Sequence, residues 1–289
     1  MRNIRHLRDS RLLILCAFRA REGPMRKKGS SMKKLSLLAV SALLACGQAA
    51  ADDIKADGQW RGVGGAAASF SSGNARNSTV NINLDAARIT ATDKWSMYGQ
   101  ALFAQSKDKD DNTNTTANLW RAGTRYDHNL NANVFAFGGL DLERDQLKHL
   151  NLRAGINGGL GYHLIKTPDT TWDIFGGLGY KVDRYSAPGL RIDGDLRRTY
   201  TTPELIFGEE STHKLTDTTS FKQRLVVFPN LRDTGEFRAI FDAGLSVAMN
   251  KTMNLTVGFQ NRYDSLAQSP AKQNDTLFLA GVNVKFGAQ

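Results

Sequence analysis

Apolar and polar residues alternate along most of the chain beyond about residue 59, with the period of a β-strand whose two faces meet different surroundings. The clearest stretch is Phe237–Met249, where apolar side chains at every second position interleave with Arg238 and Asp242. Leu152–Leu164 and Val80–Ala86 alternate in the same way. Helical spacing fits none of these stretches, so the pattern predicts an all-β fold.

The alternation divides into twelve predicted strands. The least regular of them are the eighth, which contains Pro203, and the ninth. The predicted strands span residues 59–70, 77–90, 95–107, 115–127, 132–144, 150–164, 172–185, 197–209, 219–229, 236–249, 253–263 and 275–286.

The links between these strands differ in length. The tight links fall at Ala91–Lys94, Asn129–Asn131, Lys166–Thr171, Thr212–Thr218 and Asn250–Thr252. The longer and more polar links fall at Asp108–Asn114, Ser186–Leu196, Asn230–Gly235 and Asp264–Asn274. Short periplasmic turns, longer extracellular loops and an even strand count are typical of outer-membrane barrels. The links therefore favour an antiparallel transmembrane β-barrel over a soluble sandwich.

Aromatic residues cluster beside the tight links, as in the girdle that lies at the headgroup level of a membrane. A sandwich core would instead place them in the middle of strands. The predicted girdle residues are Trp95, Tyr126, Phe135, Tyr162, Trp172 and Phe221.

A secretory signal peptide precedes the strands. Met32-Lys33-Lys34 gives a basic start, Leu35–Ala45 an apolar centre, and Ala49–Ala51 the small residues before a cleavage site. The apolar run is too short for a membrane-spanning helix. We expect a signal peptide at residues 32–51 and an outer-membrane barrel at residues 52–289. Lipidation of Cys46, which follows Leu43-Leu44-Ala45, is the alternative.

Residues 1–31 lie upstream of this complete signal and hold many arginines. We interpret them as a mis-assigned N-terminal extension, with Met1, Met25 or Met32 as the true start. A basic segment that binds nucleic acid is the alternative, but an export signal behind it contradicts that role. We therefore expect no nucleic-acid partner.

Cleavage after Ala51 changes the composition. The whole chain has a formal charge of +10, but its first 51 residues hold 11 of the 38 Lys and Arg residues and 2 of the 28 acidic ones. The exported chain is therefore almost neutral, and the basic balance indicates nothing about partners. Both cysteines, Cys16 and Cys46, are also removed, which excludes disulfides and thiol chemistry.

Six charged residues share the inward phase of the fourth to seventh predicted strands. Counting from each turn places Arg153 near Asp141, Glu143 and Asp183. Opposite charges on neighbouring strands would form a ladder that lines the lumen. Two interpretations stay open: structural filling of the barrel and a constriction that selects ions or small solutes by charge. The six residues are Arg121, Arg125, Asp141, Glu143, Arg153 and Asp183.

Other candidate chemistry is weak. Gly-Gly-Leu recurs at Gly138, Gly158 and Gly176 within predicted strands, where glycine indicates bending or close backbone approach rather than a phosphate-binding loop. His149 stands alone in a loop, and the remaining histidines of the barrel lie near tight links. No histidine spacing suggests a metal site. We expect no catalytic residue, no cofactor and no metal.

Several motifs in order resemble the family called domain of unknown function 481. They are Ser72-Gly73-Asn74, Trp95, Arg125-Tyr126-Asp127, Phe135-Ala136-Phe137, and Arg153 with Gly158–Leu164. Members of that family are described as salt-induced outer-membrane proteins. The resemblance implies an outer-membrane barrel of a Gram-negative bacterium and brings no catalytic residues and no substrate.

The leading hypothesis for function is a narrow passive channel or an envelope-stabilising barrel linked to salt or osmotic stress. The alternatives are a lipid- or lipopolysaccharide-modifying enzyme and a closed receptor or adhesion barrel. Expected partners are outer-membrane lipids, lipopolysaccharide and small ions or solutes. The last predicted strand alternates from Leu277 to Phe286 like the terminal strand that the barrel-assembly machinery recognises. Gly287-Ala288-Gln289 follows it, whereas that signal normally ends at an aromatic residue.

Overall fold

The computed structural model describes residues 56–71, 76–108, 111–192, 194–267 and 271–288. Twelve antiparallel strands form a closed barrel, and a separate two-stranded hairpin lies between the seventh and eighth of them in sequence. The barrel strands are β1 (Trp60–Phe70), β2 (Arg76–Ile89), β3 (Asp93–Lys107), β4 (Thr113–Asn129), β5 (Val134–Asp145), β6 (Leu150–Lys166), β7 (Thr170–Tyr185), β10 (Thr199–Lys214), β11 (Thr219–Pro229), β12 (Phe237–Ala248), β13 (Met253–Asp264) and β14 (Asn274–Gly287). The hairpin is β8 (Leu190–Ile192) and β9 (Asp195–Arg197).

Each barrel strand pairs with its neighbours in sequence, and β1 closes the barrel by pairing with β14. The closing ladder joins Arg61 to Gly287 and Gly64 to Val284. This closing ladder comprises four register pairs, and a sheet closed into a barrel is the form in which β-structure crosses a bilayer. The shortest barrel strands have 11 residues, enough for a tilted transmembrane strand.

The prediction of an all-β, twelve-stranded antiparallel barrel is confirmed. The prediction of a plain polar loop at Ser186–Leu196 was wrong, because this segment contains β8 and the start of β9. The eighth barrel strand also begins later and ends later than predicted, at Thr199 and Lys214, so the turn after it is shorter.

Pro203 lies inside β10 at a point where the ladder to β11 is interrupted. Regular pairing with β11 starts only at Phe207, and the carbonyl of Pro203 accepts a bond from the backbone amide of Leu231, in the following loop. The nitrogen of Pro203 faces the same side, where no strand partner requires a donor. A proline is therefore tolerated inside this strand.

The outer surface of the barrel carries large apolar side chains that remain exposed. Ile156, Leu178 and Phe278 are 61%, 60% and 71% exposed. A continuous apolar belt of this kind is the surface that a transmembrane barrel presents to lipid. The alternate residues face inward and are mostly polar, which reverses the arrangement of a soluble protein.

The two ends of the barrel differ as predicted. At one end, tight turns are held by side-chain caps: the Oδ1 atoms of Asn131 and Asn250 each accept two backbone N–H bonds. Both termini of the barrel lie at this end, which we call the short-turn end. The opposite end, the loop end, carries the longer connections and the β8–β9 hairpin.

The aromatic girdle at the short-turn end is present, with one correction. Trp95, Tyr126, Tyr162 and Trp172 face outward and stay exposed. The indole of Trp95 donates to Thr124, and Trp172 donates to Glu209. Phe221 also faces outward, stacked on His213.

Phe135 does not belong to the girdle. It is 2% exposed and packs inside the barrel, because the inward phase of β5 includes Phe135 and Phe137 as well as its acidic residues. These two rings form an apolar cluster in the lumen with Phe175, Ile206 and Val226. Proximity to a turn suggested the interface, but the strand phase decides the side.

The Gly-Gly-Leu repeats mark a close approach of β6 and β7. Gly159 and Gly177 pair directly, and a Cβ on Gly159 would lie 2.6 Å from the Cα of Gly177 and overlap the carbonyl of Gly176. The first glycine of each repeat faces outward with more space: the nearest atom to a Cβ on Gly138 would be 3.9 Å away. Glycine is therefore needed where the two backbones meet inside the barrel.

The signal peptide, the three candidate start residues, Cys16, Cys46 and the Ser72-Gly73-Asn74 motif lie outside the described residues. Within the described ranges, no helix is long and apolar enough to cross a membrane.

Candidate functional site

The candidate site is a layer of charged side chains inside the barrel, toward the loop end. They come from six strands, β5, β6, β7, β10, β12 and β13, and each occupies an inward position in the alternation of its strand. We call them the upper charge layer: Glu143, Arg153, Lys181, Asp183, Glu204, Arg238 and Asp264.

Arg153 is the centre of this layer. Its guanidinium donates to both carboxylate oxygens of Asp183, from Nε at 2.7 Å and from Nη2 at 3.0 Å. Nη2 also donates to Oδ2 of Asp264 at 3.1 Å. Glu143 lies farther away, with Oε2 at 3.8 Å from Nη1. The two bonds from Arg153 to Asp183 have the forked geometry with which arginine binds carboxylates most strongly.

Asp183 is fully buried and has further partners. Its Oδ2 accepts from the ammonium of Lys181 at 3.0 Å and from the hydroxyl of Tyr185 at 3.2 Å. A buried carboxylate requires such compensation, because burial without partners costs several kcal/mol. Arg153 and Lys181 together supply it.

Glu204 links the layer to the next strands. Arg238 donates to both of its oxygens, at 3.2 and 2.8 Å, and Lys181 lies 3.6 Å from Oε1. The guanidinium of Arg238 also lies over the ring of Phe228, 4.6 Å from its centre. Cations and carboxylates alternate in space, so the layer is compensated.

The contact between Arg153 and Asp264 crosses the lumen. Arg153 lies on β6 and Asp264 on β13, and five steps around the twelve-stranded barrel separate these strands. Neighbouring strands are spaced about 4.8 Å apart along the wall. The two side chains therefore extend from nearly opposite walls and meet inside. The sequence predicts a ladder along adjacent strands, whereas the structure also contains a bridge across the lumen.

A second contact crosses the lumen at mid-height. The Nη2 atom of Arg121, on β4, donates to Oε1 of Gln260, on β13, at 3.3 Å.

Asp141 lies nearby but does not contact Arg153. Its carboxylate accepts from the hydroxyl of Tyr98 at 2.6 Å and from the amide of Asn157 at 3.0 Å.

A third group of charges lies toward the short-turn end. Arg125 donates to Asp127 at 2.6 Å and lies 3.6 Å from Glu210. Lys94, on β3, reaches Glu210 from across the barrel, at 3.2 Å. The guanidinium of Arg125 also stacks on the apolar cluster defined above, 4.5 Å from the ring centre of Phe175. Cation and ring faces attract each other, more strongly where water is excluded.

The loop end is covered by an apolar cap. The β8–β9 hairpin packs Leu190 and Ile192 against inward residues of the barrel strands, and both leucine and isoleucine are buried. The remaining members of the cap are Leu150, Tyr185 and Tyr200, with Leu266 packed against them.

A salt bridge crosses the same mouth. Lys148, in the loop after β5, lies 2.6 Å from Asp275 at the start of β14. Burial works against the charge of Lys148, but the hydrogen bond and attraction of Asp275, aided by Asp145, outweigh it and raise the pKa of the ammonium. Lys148 therefore stays charged at neutral pH.

The six predicted site residues all face the lumen, and the structure brings only some of them together. Arg153, Asp183 and Glu143 join in the upper charge layer. Arg121, Arg125 and Asp141 have the partners described above, nearer the middle and the short-turn end. Sequence reasoning missed four members of the layer: Lys181, Glu204, Arg238 and Asp264. All four occupy positions that alternation along their strands directs into the lumen. Only the closed barrel shows that they contact Arg153 or its partners.

Two serine–histidine pairs bear on the enzymatic alternative. Ser186 lies beside His149 at the loop end, with Oγ 3.4 Å from Nδ1, but its hydroxyl also lies 3.3 Å from the carbonyl oxygen of His149. Ser211 lies 3.1 Å from Nε2 of His213 on the outer surface. Ser211 is 4% exposed, and no carboxylate contacts either histidine among the contacts of the described residues. Neither pair forms a catalytic triad.

The described residues contain no group of three or more His, Cys, Asp or Glu side chains that could hold a metal ion. The charged side chains of the upper charge layer are instead paired with each other, whereas Arg121 binds the neutral side chain of Gln260. What the site offers chemically is a layer of fixed charges of both signs inside the barrel.

Similar folds occur among solved structures. The NanC porin is 12% identical, with a TM-score of 0.42, over 79% of this chain and 97% of the porin chain. The translocator domain of the autotransporter NalP from Neisseria meningitidis is 11% identical, with a TM-score of 0.41, over 82% of this chain and 90% of the domain. A mutant of the TodX monoaromatic hydrocarbon channel is 10% identical, with a TM-score of 0.37, over 78% of this chain and 81% of the channel chain.

Among curated proteins, none matches this chain. A family model described as "Protein of unknown function, DUF481" matches residues 64–286, which is most of the chain. The family resemblance seen in the motifs is therefore confirmed. The chain belongs to the DUF481 family.

Proposed function

We propose that this protein is a narrow passive channel for small ions in the outer membrane of a Gram-negative bacterium, constricted by the upper charge layer. The observation that carries the proposal is the bridge from Arg153 to Asp264 across the lumen. Rings of charged side chains at a constriction select permeant ions in many pores. A passage with paired charges of both signs admits small ions and excludes larger solutes.

The part of the barrel wall formed by β2, β13 and β14 supports a hydrated path through the lumen. Strands β2, β13 and β14 turn neutral polar side chains inward, among them Asn81, Asn254, Thr256 and Asn283. Neither amide atom of Asn254 has a hydrogen-bond partner within the protein. A buried amide is almost always hydrogen-bonded, so ordered water is the expected partner. Asn254 lies near the short-turn end of β13, so water there would extend a hydrated path from that end toward the charge layer.

The proposed location follows from the outer surface. The exposed apolar belt, the aromatic girdle and the difference between the two ends match the pattern of outer-membrane barrels. In that pattern the short-turn end faces the periplasm and the loop end faces the outside. The proposed partners are outer-membrane lipids and, for insertion through β14, the barrel-assembly machinery. The predicted signal peptide fits this route, and the link to salt or osmotic stress rests on the family resemblance.

The test is single-channel conductance in planar bilayers, using protein expressed with its own leader and purified from membranes. Asp264→Asn removes the charge that Arg153 meets across the lumen and keeps the side-chain volume. We expect discrete current steps from the native protein, and larger steps with altered cation-to-anion selectivity from Asp264→Asn. The matched control is Asp217→Asn, which changes a carboxylate that is 98% exposed in a short turn and should leave the steps unchanged.

A closed barrel that stabilises the envelope is the second candidate. The apolar cap and the Lys148–Asp275 bridge favour it, because both cover the mouth of the lumen. Complete silence from folded native protein and from folded Asp264→Asn would reject the channel and favour this candidate. The proposal assigns no catalytic residue and no cofactor.

A further inference from the structure

Two exposed arginines stand on the outer surface at the loop end. Arg184, on β7, pairs in register with Leu152, on β6. On the other side of β6, Glu143 of β5 pairs with Arg153, so the next residue of β5, Arg144, lies beside Leu152. The β5–β6 ladder is irregular at this point. The two arginines therefore flank Leu152 in one row across three strands. Their backbones are two strand spacings apart, about 10 Å.

Neither guanidinium has a partner. Among the described residues, Arg144 and Arg184 make no hydrogen bond, ion pair or ring contact, and both are exposed. The acidic neighbours in sequence, Asp145 and Asp183, face inward and bind other groups. This contrasts with the inward arginines Arg125, Arg153 and Arg238, which all bind carboxylates. The charge of the outer pair is therefore uncompensated by protein.

The surface below this row is apolar. Leu142, Ala154 and Val182 form the next row, and Leu140, Ile156 and Tyr180 form the row after it. Ile156 is 61% exposed, and Leu178, one row lower, is 60% exposed. The same three strands thus present two cations above an apolar face, which matches an acyl chain joined to an anionic headgroup.

We propose that Arg144 and Arg184 form a binding site for a phosphate of lipopolysaccharide, with its acyl chains lying on the apolar rows below. Arginine suits this role, because its planar fork binds phosphate oxygens in pairs. Two long side chains from strands about 10 Å apart reach a common phosphate between them. Arg198 adds a third exposed cation, since it precedes Thr199, the register partner of Arg184 on β10. The site rests on the proposed orientation, in which the loop end lies in the outer leaflet.

The test measures, by fluorescence anisotropy, how fluorescent lipopolysaccharide binds the protein in detergent micelles. The protein is expressed with its own leader and purified from membranes. The variant is Arg144→Gln/Arg184→Gln. The matched control is Lys166→Gln/Lys251→Gln, which removes two exposed cations at the short-turn end. Heat-dependent gel mobility checks that each barrel is folded.

We expect the arginine double variant to bind about tenfold more weakly or worse, equivalent to about 1.4 kcal/mol, and the lysine control to bind like the native protein. Dephosphorylated lipopolysaccharide should bind the native protein as weakly as the intact lipid binds the arginine variant. Equal binding by the native protein and the arginine variant would overturn the site. Equal competition by phosphatidylglycerol would overturn the assignment to lipopolysaccharide.

Failure of this proposal and failure of the channel are distinguishable. The arginine pair lies outside the lumen, so the double variant should keep the native conductance. A silent barrel that still needs the pair for lipopolysaccharide refutes only the channel. A conducting barrel whose binding ignores the pair refutes only the lipid site.

Discussion

The buried carboxylates of the upper charge layer should differ in their contribution to stability, in an order set by their partners. We expect Asp183→Asn to destabilise the barrel more than Asp264→Asn, and Asp217→Asn to leave stability unchanged. Asn has nearly the shape of Asp and keeps one acceptor oxygen. Each substitution therefore removes charge with little change in packing.

The expected magnitudes follow from the contacts. Asp183 is fully buried and accepts twice from Arg153, once from Lys181 and once from Tyr185. Its neutralisation leaves two buried cations short of a partner, which costs about 3–5 kcal/mol. Asp264 accepts one bond from Arg153 and one from the backbone amide of Leu266. The change from a charged to a neutral acceptor there costs about 1–2 kcal/mol.

The assay is equilibrium unfolding in urea of barrels inserted into lipid vesicles, followed by tryptophan fluorescence and by gel mobility. The double variant Asp183→Asn/Asp264→Asn completes the cycle, and because both carboxylates share Arg153 we expect the two effects to be non-additive. Equal destabilisation by Asp264→Asn and Asp183→Asn, or a cost of less than about 1 kcal/mol for Asp183→Asn, would contradict this order.

Three further predictions test other parts of the fold. Gly159→Ala should destabilise the barrel by about 1–3 kcal/mol or prevent folding, because the added Cβ would clash with the backbone of β7. Gly138→Ala has space for its Cβ and should leave stability nearly unchanged in the same unfolding assay. Phe135→Ala should lower the free energy of unfolding by about 3–5 kcal/mol, because it opens a cavity in the lumen cluster. Phe207→Ala on the lipid-facing surface, where Phe207 is 55% exposed, should lower it clearly less. Equal losses of stability would contradict the inward placement of Phe135. The raised pKa of Lys148 means that its bridge to Asp275 contributes fully below the ordinary lysine pKa of about 10.4 and is lost as pH rises through the raised pKa of the folded barrel. A spin label at Leu147→Cys should therefore stay restricted from pH 6 to 9 and become mobile only in stronger alkali.

The strand pattern could be predicted closely from the sequence, because alternation with period two is a local signal. All twelve barrel strands and the difference between the two ends follow from it. The β8–β9 hairpin was missed, since Leu190 and Ile192 are too few to show alternation and are buried by the mouth of the barrel rather than by a neighbouring strand. Phe135 stands beside a turn, which is typical of a girdle residue, but the phase of β5 directs its ring into the lumen.

The candidate site could be predicted only in part. The inward phase of Arg153, Glu143 and Asp183 is readable from the sequence, as is their closeness on adjacent strands. The contacts of Arg153 with Asp264, and of Lys94 with Glu210, depend on barrel diameter and stagger, which no local pattern encodes. Asp141 was expected beside Arg153, but the hydroxyl of Tyr98 and the amide of Asn157 bind it instead.

In the proposed channel, the positively charged side chain of Arg153 narrows the lumen and limits the current. The most direct test is single-channel recording of Arg153→Cys before and after addition of a methanethiosulfonate carrying an ethylammonium group, which attaches a positive charge to the thiol and releases methanesulfinate. We expect Arg153→Cys to conduct more than the native protein and the attached charge to lower its conductance again. The control Asp217→Cys should conduct like the native protein both before and after the reagent is added. Conductance that is unaffected by the substitution at Arg153 and by the attached charge would contradict a constriction at this side chain.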